Sequence, residues 1–265
     1  FKIPLLLFLP NFKEQFHLYC LIRKAFYVKT NQFYLLINFS VGGCSQMETK
    51  APLIPMEDFM RNPEKSSFQI SPNGNYVAFM KPWKTRMNVF VMDMNTNKEE
   101  RLTSSEARGI YGFTWLTDNR IGYVKDDGGN ENMHFYAVNI DGTNEMDLTP
   151  FENIQARIID DLEDDQNHVI IGLNKRNPQI HDPYRVNIND GTMKMIAENP
   201  GNISGWGTDH NGKLRIATTS DGVNTSLLYR DKESDKFKPI LTTDFKVSVA
   251  PLFFTFDNKN LFVAS

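Results

Sequence analysis

The sequence predicts an all-β fold of repeated four-stranded antiparallel modules, and three observations carry that expectation. The first is the stretch Asp126 to Phe151, DDGGNENMHFYAVNIDGTNEMDLTPF, which holds a Gly-rich turn, an alternating run from His134 to Ile140, an Asp141-Gly142 turn and a second short strand closing on Leu148-Thr149-Pro150. Alternation puts Phe135, Ala137 and Asn139 on one face of that run and Tyr136, Val138 and Ile140 on the other, so the strand presents two different surfaces. The second observation is the turn chemistry: an Asp-Gly pair between two such runs signals a hairpin, because few residues accept the positive φ the turn requires. The third is the period. The residues entering the second strand of each module, Asn75, Asn119, Asn167, Lys213 and Asn260, are 44, 48, 46 and 47 positions apart. A steady period of that size with four strands per unit favours a β-propeller over a sandwich, which has no reason to space its turns so evenly.

The first module opens at Phe68-Gln69-Ile70, turns through Ser71-Pro72-Asn73-Gly74, returns along Asn75 to Met80, and adds strands at Asn88 to Met94 and Glu99 to Leu102. Pro at the second turn position and Gly at the fourth suit a β-turn. The second runs from Gly112 to Trp115, through Asp118-Asn119 to Arg120–Val124, and into the hairpin above. The third has Ala156 to Asp160, a charged turn at Asp164 to Asn167, His168 to Gly172, Tyr184 to Ile188 and Met193 to Ala197. The fourth has Ile203 to Trp206, a turn at Asp209 to Gly212, Lys213 to Thr218, Ser226 to Arg230 and Phe237 to Leu241. A fifth begins at Val249 to Phe256 and reaches Leu261 to Ser265. The expected domain is therefore an incomplete propeller over residues 68–265, about four blades plus the start of a fifth, and the chain is expected to be the front portion of a longer protein.

Composition narrows the function classes. At 265 residues and 40% hydrophobic the chain buries a sizeable core, while a net charge of −3 gives no basic field for a phosphate backbone, so no nucleic-acid partner is expected. Cys20 and Cys44 lie outside the repeats and make neither a disulfide framework nor a zinc site.

The first 27 residues do not start with Met and show no clear period, and are expected to be translated from upstream sequence rather than to belong to the mature protein. From Val28 a Lys, an apolar run from Phe33 to Val41 and then Gly42, Gly43 and Cys44 follow the order of a secretory signal, too short to span a bilayer. Val41-Gly42-Gly43-Cys44 resembles the lipobox of bacterial lipoproteins, departing from it in Val41, Asn38 and Ser40. That resemblance implies cleavage before Cys44, a lipid anchor on it, and a periplasmic or outer-membrane-anchored protein. Residues 45–67 then read as a tether and lead-in.

A resemblance to a family rests on PMEDFMRNP at 55–63, FQISPNGNYVAF, RMNVFVMD, DDGGNENMHFYAVNIDG, DLTPF and HDPYRVNINDG at 181–191. In this order they resemble the N-terminal propeller of prolyl-oligopeptidase-family serine peptidases, in the acylaminoacyl-peptidase and dipeptidyl-aminopeptidase-like branch, over residues 51 to 265. The resemblance implies an α/β-hydrolase domain after the propeller, with its nucleophile on a Gly-x-Ser-x-Gly turn. No such pentapeptide occurs here, Gly201-Asn202-Ile203-Ser204-Gly205 having the wrong spacing. No catalytic residue carries over, and this chain alone is not expected to hydrolyse peptides. The propeller of such a peptidase restricts access to short peptides, which implies a gating role, a peptide substrate and the hydrolase domain of the same protein as partners. Two rivals stay open: a stand-alone periplasmic binding or scaffold propeller, and a carbohydrate-active propeller with paired carboxylates aimed at its channel.

The candidate substrate-binding residues are Glu131 and Asn132 in GGNEN. A carboxylate there suits a peptide's free amino end, and the competing reading is a loop held by Asn and Glu bonds to its own backbone. Asp160, Asp161, Glu163, Asp164 and Asp165 lack calcium-loop spacing and read as a solvated turn, and His134, His168, His181 and His210 lie in separate repeats and read as structural. No metal and no cofactor is expected. Trp83, Trp115 and Trp206 read as blade-to-blade packing; Arg86, Arg157 and Arg185 read as solvated surface or as partners of the hydrolase domain.

Overall fold

Local turn chemistry sets the architecture. At the first turn the Ser71 hydroxyl accepts the Tyr76 N–H at 3.0 Å and the Gly74 N–H reaches the Ser71 carbonyl at 2.8 Å. Gly74 there adopts φ +73°, the left-handed region in which a Cβ is unfavourable. The chain is thereby turned back beside itself and the two strands pair.

The computed structural model describes residues 53–61, 63–126 and 128–265. The upstream segment, the signal and Cys44 lie outside them. Among the described residues no helix is long and apolar enough to cross a membrane. A five-residue helix, α1 (Met56–Met60), exposed along its whole length, lies in the segment read as tether and lead-in.

Among the described residues eighteen strands follow. Blade 1 is β1 (Ser66–Ile70), β2 (Tyr76–Trp83), β3 (Arg86–Asp93) and β4 (Glu99–Arg101); blade 2 is β5 (Gly112–Thr117), β6 (Arg120–Lys125), β7 (His134–Asn139) and β8 (Met146–Asp147). Blade 3 is β9 (Ala156–Asp160), β10 (His168–Asn177), β11 (Ile180–Asn187) and β12 (Met193–Met195); blade 4 is β13 (Ile203–Thr208), β14 (Leu214–Ser220), β15 (Asn224–Tyr229) and β16 (Lys238–Asp244). β17 (Ala250–Phe254) and β18 (Leu261–Ala264) pair as the first two strands of a fifth. Each sheet is an antiparallel meander in chain order, and the first strand of each module lies at one edge.

Those first strands are joined in series, which makes the succession radial. The Gln69 side chain in β1 donates to the Phe113 carbonyl in β5 at 2.9 Å, and the Trp115 indole N–H returns a bond to the Gln69 carbonyl at 3.2 Å. The Thr114 hydroxyl in β5 donates to Asp161, just past β9, at 2.8 Å, and the Thr208 hydroxyl in β13 donates to Asp160 in β9. His210 Nε2, after β13, meets the Phe254 carbonyl in β17 at 2.9 Å. The expected propeller of four-stranded blades is the observed fold.

Packing follows the alternation. Tyr136, Val138 and Ile140 face blade 1, in a core with Ala78, Val89 and Val91 of blade 1 and Trp115 and Ile121 of blade 2. Phe135 and Ala137 face blade 3, with Ile154, Val169, Ile171 and Val186. One strand thus serves two cores. The tightest approach is at Gly122 in β6, where a Cβ would lie 2.4 Å from the end of the Phe135 ring.

Arginines tie blades to one another. Arg120, 6% exposed, donates to the Ile188 carbonyl of blade 3 at 3.0 Å, to Asn139 Oδ1 at 2.7 Å and to the Asn144 carbonyl at 3.2 Å. Arg215 in β14 reaches Asp209 and, in the fifth module, the Asn258 carbonyl, each at 3.1 Å. Arg185, read as solvated or bound to another domain, instead donates to the Gly212 carbonyl of blade 4 at 2.8 Å.

Several expectations need correction. The outer strand of blade 2, expected to close on Leu148-Thr149-Pro150, is the short Met146–Asp147, which ends just before them. The Thr149 hydroxyl takes the Phe135 N–H at 2.9 Å, so a side chain replaces the backbone partner there. β10 and β11 run past the expected ends at Gly172 and Tyr184, because the Arg176 guanidinium grips both oxygens of the buried Asp182, at 2.9 and 3.0 Å, across the lengthened hairpin. Of the tryptophans, Trp115 fills an interblade core, whereas Trp83 lies 3.8 Å under the Arg101 guanidinium and Trp206 packs on Phe237 of its own blade.

The histidines take separate structural places. His134 bonds Asp147 at 2.7 Å, His168 bonds Asp165 at 3.0 Å, and His181 Nε2 is buried with no hydrogen-bond partner among the described residues. Burial, and then the nearby Arg157 charge, hold the His181 imidazole below its ordinary value.

Replacing Gly122 by Ala is expected to lower the unfolding free energy by about 1–3 kcal/mol through overpacking against Phe135. Arg120→Met, which strands buried carbonyl oxygens, is expected to cost on the order of 3 kcal/mol. Urea midpoints for the two variants check both. A third expectation concerns pH. Because the folded state binds the His181 proton more weakly than the unfolded chain, the unfolded chain is protonated first as pH falls below about 6.5, and stability declines from there until the folded imidazole titrates. His181→Gln removes that part of the slope, which melting curves of the two proteins between neutral and mildly acidic pH will reveal.

Candidate functional site

In a meander of this kind the β6–β7 loop and the β4–β5 and β8–β9 connections emerge at the same end of the blades. There they enclose an open groove of about 760 Å³ between the connections flanking blade 2. Ser105 to Arg108 form one wall, Pro150 to Asn153 another, and Asp126, Asn130, Asn132 and Tyr136 come from the loop and the strands it joins.

The loop is shaped by its backbone. Gly128, Gly129 and Glu131 have φ of +63, +92 and +60°. At Gly129 a Cβ would sit 3.0 Å from the Arg108 guanidinium, which lies across it, so glycine answers both the angle and the space. Glu131 pays for its left-handed backbone with its N–H, directed at Asp126 Oδ2 at 3.3 Å. Asn130 Oδ1 accepts the Asn132 N–H at 3.0 Å.

Of the two residues singled out from the sequence, Asn132 lines the groove and Glu131 is exposed on the same loop. The bonds that order the loop run from the backbone N–H groups of Glu131 and Asn132 to the side chains of Asp126 and Asn130. The charged residue that reasoning from sequence passed over is Asp126, the last residue before the turn. Its side chain has no solvent exposure, and Arg108 Nε stands 3.7 Å from its Oδ2. Lys125 does not reach it, being drawn over the Tyr136 ring at 4.3 Å. The signal that marks Asp126 is its place where an apolar strand meets a Gly-rich turn, a position at which the side chain folds back beneath the loop.

A second groove of about 1010 Å³ opens at the other end of the blades, between the acidic turn after β9 and Trp206, His210, Phe253 and Phe256. The turn's acids are largely engaged inside the chain. Besides the hydroxyls on Asp160 and Asp161, Asp165 accepts the Asn167 N–H at 2.9 Å. Among the described residues no group of three or more His, Cys, Asp or Glu is placed to hold a metal ion.

No family profile matches the chain. Individual proteins do. Dipeptidyl aminopeptidase BIII of Pseudoxanthomonas mexicana is 30% identical over 216 residues, covering 79% of this chain and 31% of the relative. Dipeptidyl peptidase family member 6 of Caenorhabditis elegans is 23% identical over 230 residues, covering 80% of this chain and 30% of the relative. The chain therefore spans about 30% of the length of these curated relatives. Among solved structures, an oligogalacturonate lyase in complex with manganese superposes with a TM-score of 0.57 at 13% identity, over 76% of this chain and 62% of that one, a likeness of fold alone. Sequence likeness to peptidases over most of the repeat region, together with four-stranded blades in radial succession, places this chain among the β-propeller domains of the prolyl-oligopeptidase-family peptidases.

Proposed function

We propose that this chain is the non-catalytic, substrate-gating propeller of a secreted serine peptidase that cleaves short peptides, the Ser-Asp-His chemistry residing in an α/β-hydrolase domain of the same full-length protein. The observation that carries the reading is the likeness to dipeptidyl aminopeptidase BIII over four-fifths of the chain. Two features support it. The sequence contains no Gly-x-Ser-x-Gly, so it supplies no strained nucleophile turn of its own. The groove on the face of the long connections offers carboxylates and carboxamides suited to a peptide backbone and its amino end.

In this reading the blades act sterically. A rigid ring over a reacting bond admits only chains narrow or unfolded enough to pass, and excludes bulk water from the chemistry. Glu131 and Asn132 contact the peptide or the hydrolase domain at the groove. Secretion through the leader and anchoring through a lipid on Cys44 belong to the same proposal, placing the peptidase in the periplasm or on the outer membrane.

In the full-length enzyme, Glu131→Gln is expected to raise KM for peptides with free amino ends by about three- to tenfold, the scale of one exposed charge-assisted contact, with kcat little changed. A KM identical to the parent enzyme removes Glu131 from the substrate path. Equal cleavage of one peptide sequence when free and when embedded in a folded protein defeats the gating role itself.

A further inference from the structure

Two basic side chains stand opposite each other at the groove end of blade 2. Lys125 in β6 and His134 in β7 are cross-strand partners, so their side chains leave the sheet on one face, and both line the groove. Only the histidine has an acid. Asp147 Oδ2 meets its Nδ1 at 2.7 Å, and Asp147 Oδ1 is taken by the Thr149 N–H at 2.8 Å, so that carboxylate is not free to turn to Lys125. Lys125 makes no ion pair among the described residues. The rings of Tyr136 and Tyr123, 4.3 and 5.8 Å from its Nζ, hold the ammonium in place without cancelling its charge. With Nδ1 on the carboxylate, the half-buried imidazole turns Nε2 away from Asp147, and this nitrogen has no hydrogen-bond partner among the described residues.

We propose that Lys125 and His134, with Arg108 at the rim, form a subsite for a single carboxylate. Lys125 Nζ and, once the imidazole carries its second proton, His134 Nε2–H each give a charge-assisted bond to one of its oxygens. Like charges directly opposite on a sheet repel, and an anion held between them offsets that cost. The charge balance favours a carboxylate over a phosphate dianion. Arg108 already shares its charge with Asp126, 3.7 Å away, and Glu106 and Glu152 line the same groove, Glu106 being held by Lys84 at 2.7 Å. One unpaired cation suits one negative charge. The groove, at about 760 Å³, also admits a molecule larger than a small free anion.

The carboxylate can be a peptide's carboxyl end or an Asp or Glu side chain. The subsite deepens the peptide reading and rests on it only for the carrier of the acid. Isothermal titration calorimetry of the 265-residue chain separates the cases, with N-acetyl-Ala-Ala, N-acetyl-Ala-Ala amide and N-acetyl-glutamate α-amide as probes. At least one acid is expected to bind about tenfold or more tightly than the neutral amide, the worth of one charge-assisted bond. Preference between the two acids names the source. Lys125→Met, which keeps an apolar stem over Tyr136, is expected to weaken the acid about tenfold. Affinity in the parent is expected to rise several-fold from about pH 8 to about pH 6, the range in which an imidazole ordinarily gains its proton, and His134→Gln to abolish that rise. The groups facing the imidazole are Asp147, Lys125 and Tyr136, with Glu106 and Arg108 on the groove wall beyond. If Lys125→Met does not fold by circular dichroism, the pH profile of His134→Gln decides. Equal binding of acids and amide, unchanged affinity in Lys125→Met, or a pH dependence that survives His134→Gln overturns the subsite and leaves the steric gating role standing. Carboxylate binding by the chain with no effect of Lys125→Met on KM for acid-bearing peptides in the full-length enzyme keeps the subsite and overturns instead its use by the peptidase substrate.

Discussion

A blade of this protein buries itself only against another blade. A lone four-stranded sheet has two faces and no interior, and here both faces of the inner blades are apolar: β7 gives Phe135 and Ala137 to one neighbour and Tyr136 and Val138 to the other. Burial of such side chains is worth about 1.5–3 kcal/mol each, and none of it is realised until the adjacent module is in place. Stability is therefore cooperative between successive repeats, and a change at one interface is felt by two blades. Gly122 shows how little slack exists, since its missing side chain is the space that the Phe135 ring occupies.

Apolar burial does not say how two sheets should be turned relative to each other. Directional bonds supply that. Along the inner edge, Gln69, Trp115, Thr114, Thr208 and His210 each connect one first strand to the next module. Farther out, Arg120 and Arg215 reach carbonyl oxygens that no strand partner uses. A guanidinium suits the task, because its planar fork satisfies several fixed acceptors at once while its stem adds to the packing. Removing one such side chain leaves desolvated carbonyls, a larger loss than the bonds themselves contribute.

Much of this was legible in the sequence, for physical reasons that differ from feature to feature. The blades were readable because turn residues and period-two alternation are local: Ser71 to Gly74 closes its hairpin with its own side chain, and the two faces of His134 to Ile140 sort into the two cores as alternation requires. The strand ends at Leu148 and beyond Gly172 were not readable. There a Thr hydroxyl replaces a backbone partner and an Arg–Asp fork clamps a lengthened hairpin, and such bonds depend on positions brought together only by folding. The interblade arginines were missed for the same reason, as nothing in a single arginine's neighbourhood names a carbonyl 68 residues away. At the groove, the loop was visible in its glycines, but which acid turns inward was not. Glu131 is exposed, and Asp126, one strand end earlier, is beneath it.

The placing of that groove follows from the same division of labour. At the end where β1 meets β2 and β13 meets β14, turns are short and are spent on reversing the chain, as with Asp209, which accepts the Asn211 and Lys213 N–H groups. At the opposite end the chain must also cross from the outer strand of one blade to the inner strand of the next, and these longer connections are not committed to a ladder. They are free to carry polar side chains that the sheets cannot tolerate. Asp126 sits at the boundary between the two regimes, rigid because β6 holds its backbone and polar because the loop above it supplies donors for one oxygen. A carboxylate is kept from water in such a place because a rigid scaffold and an adaptable loop meet there.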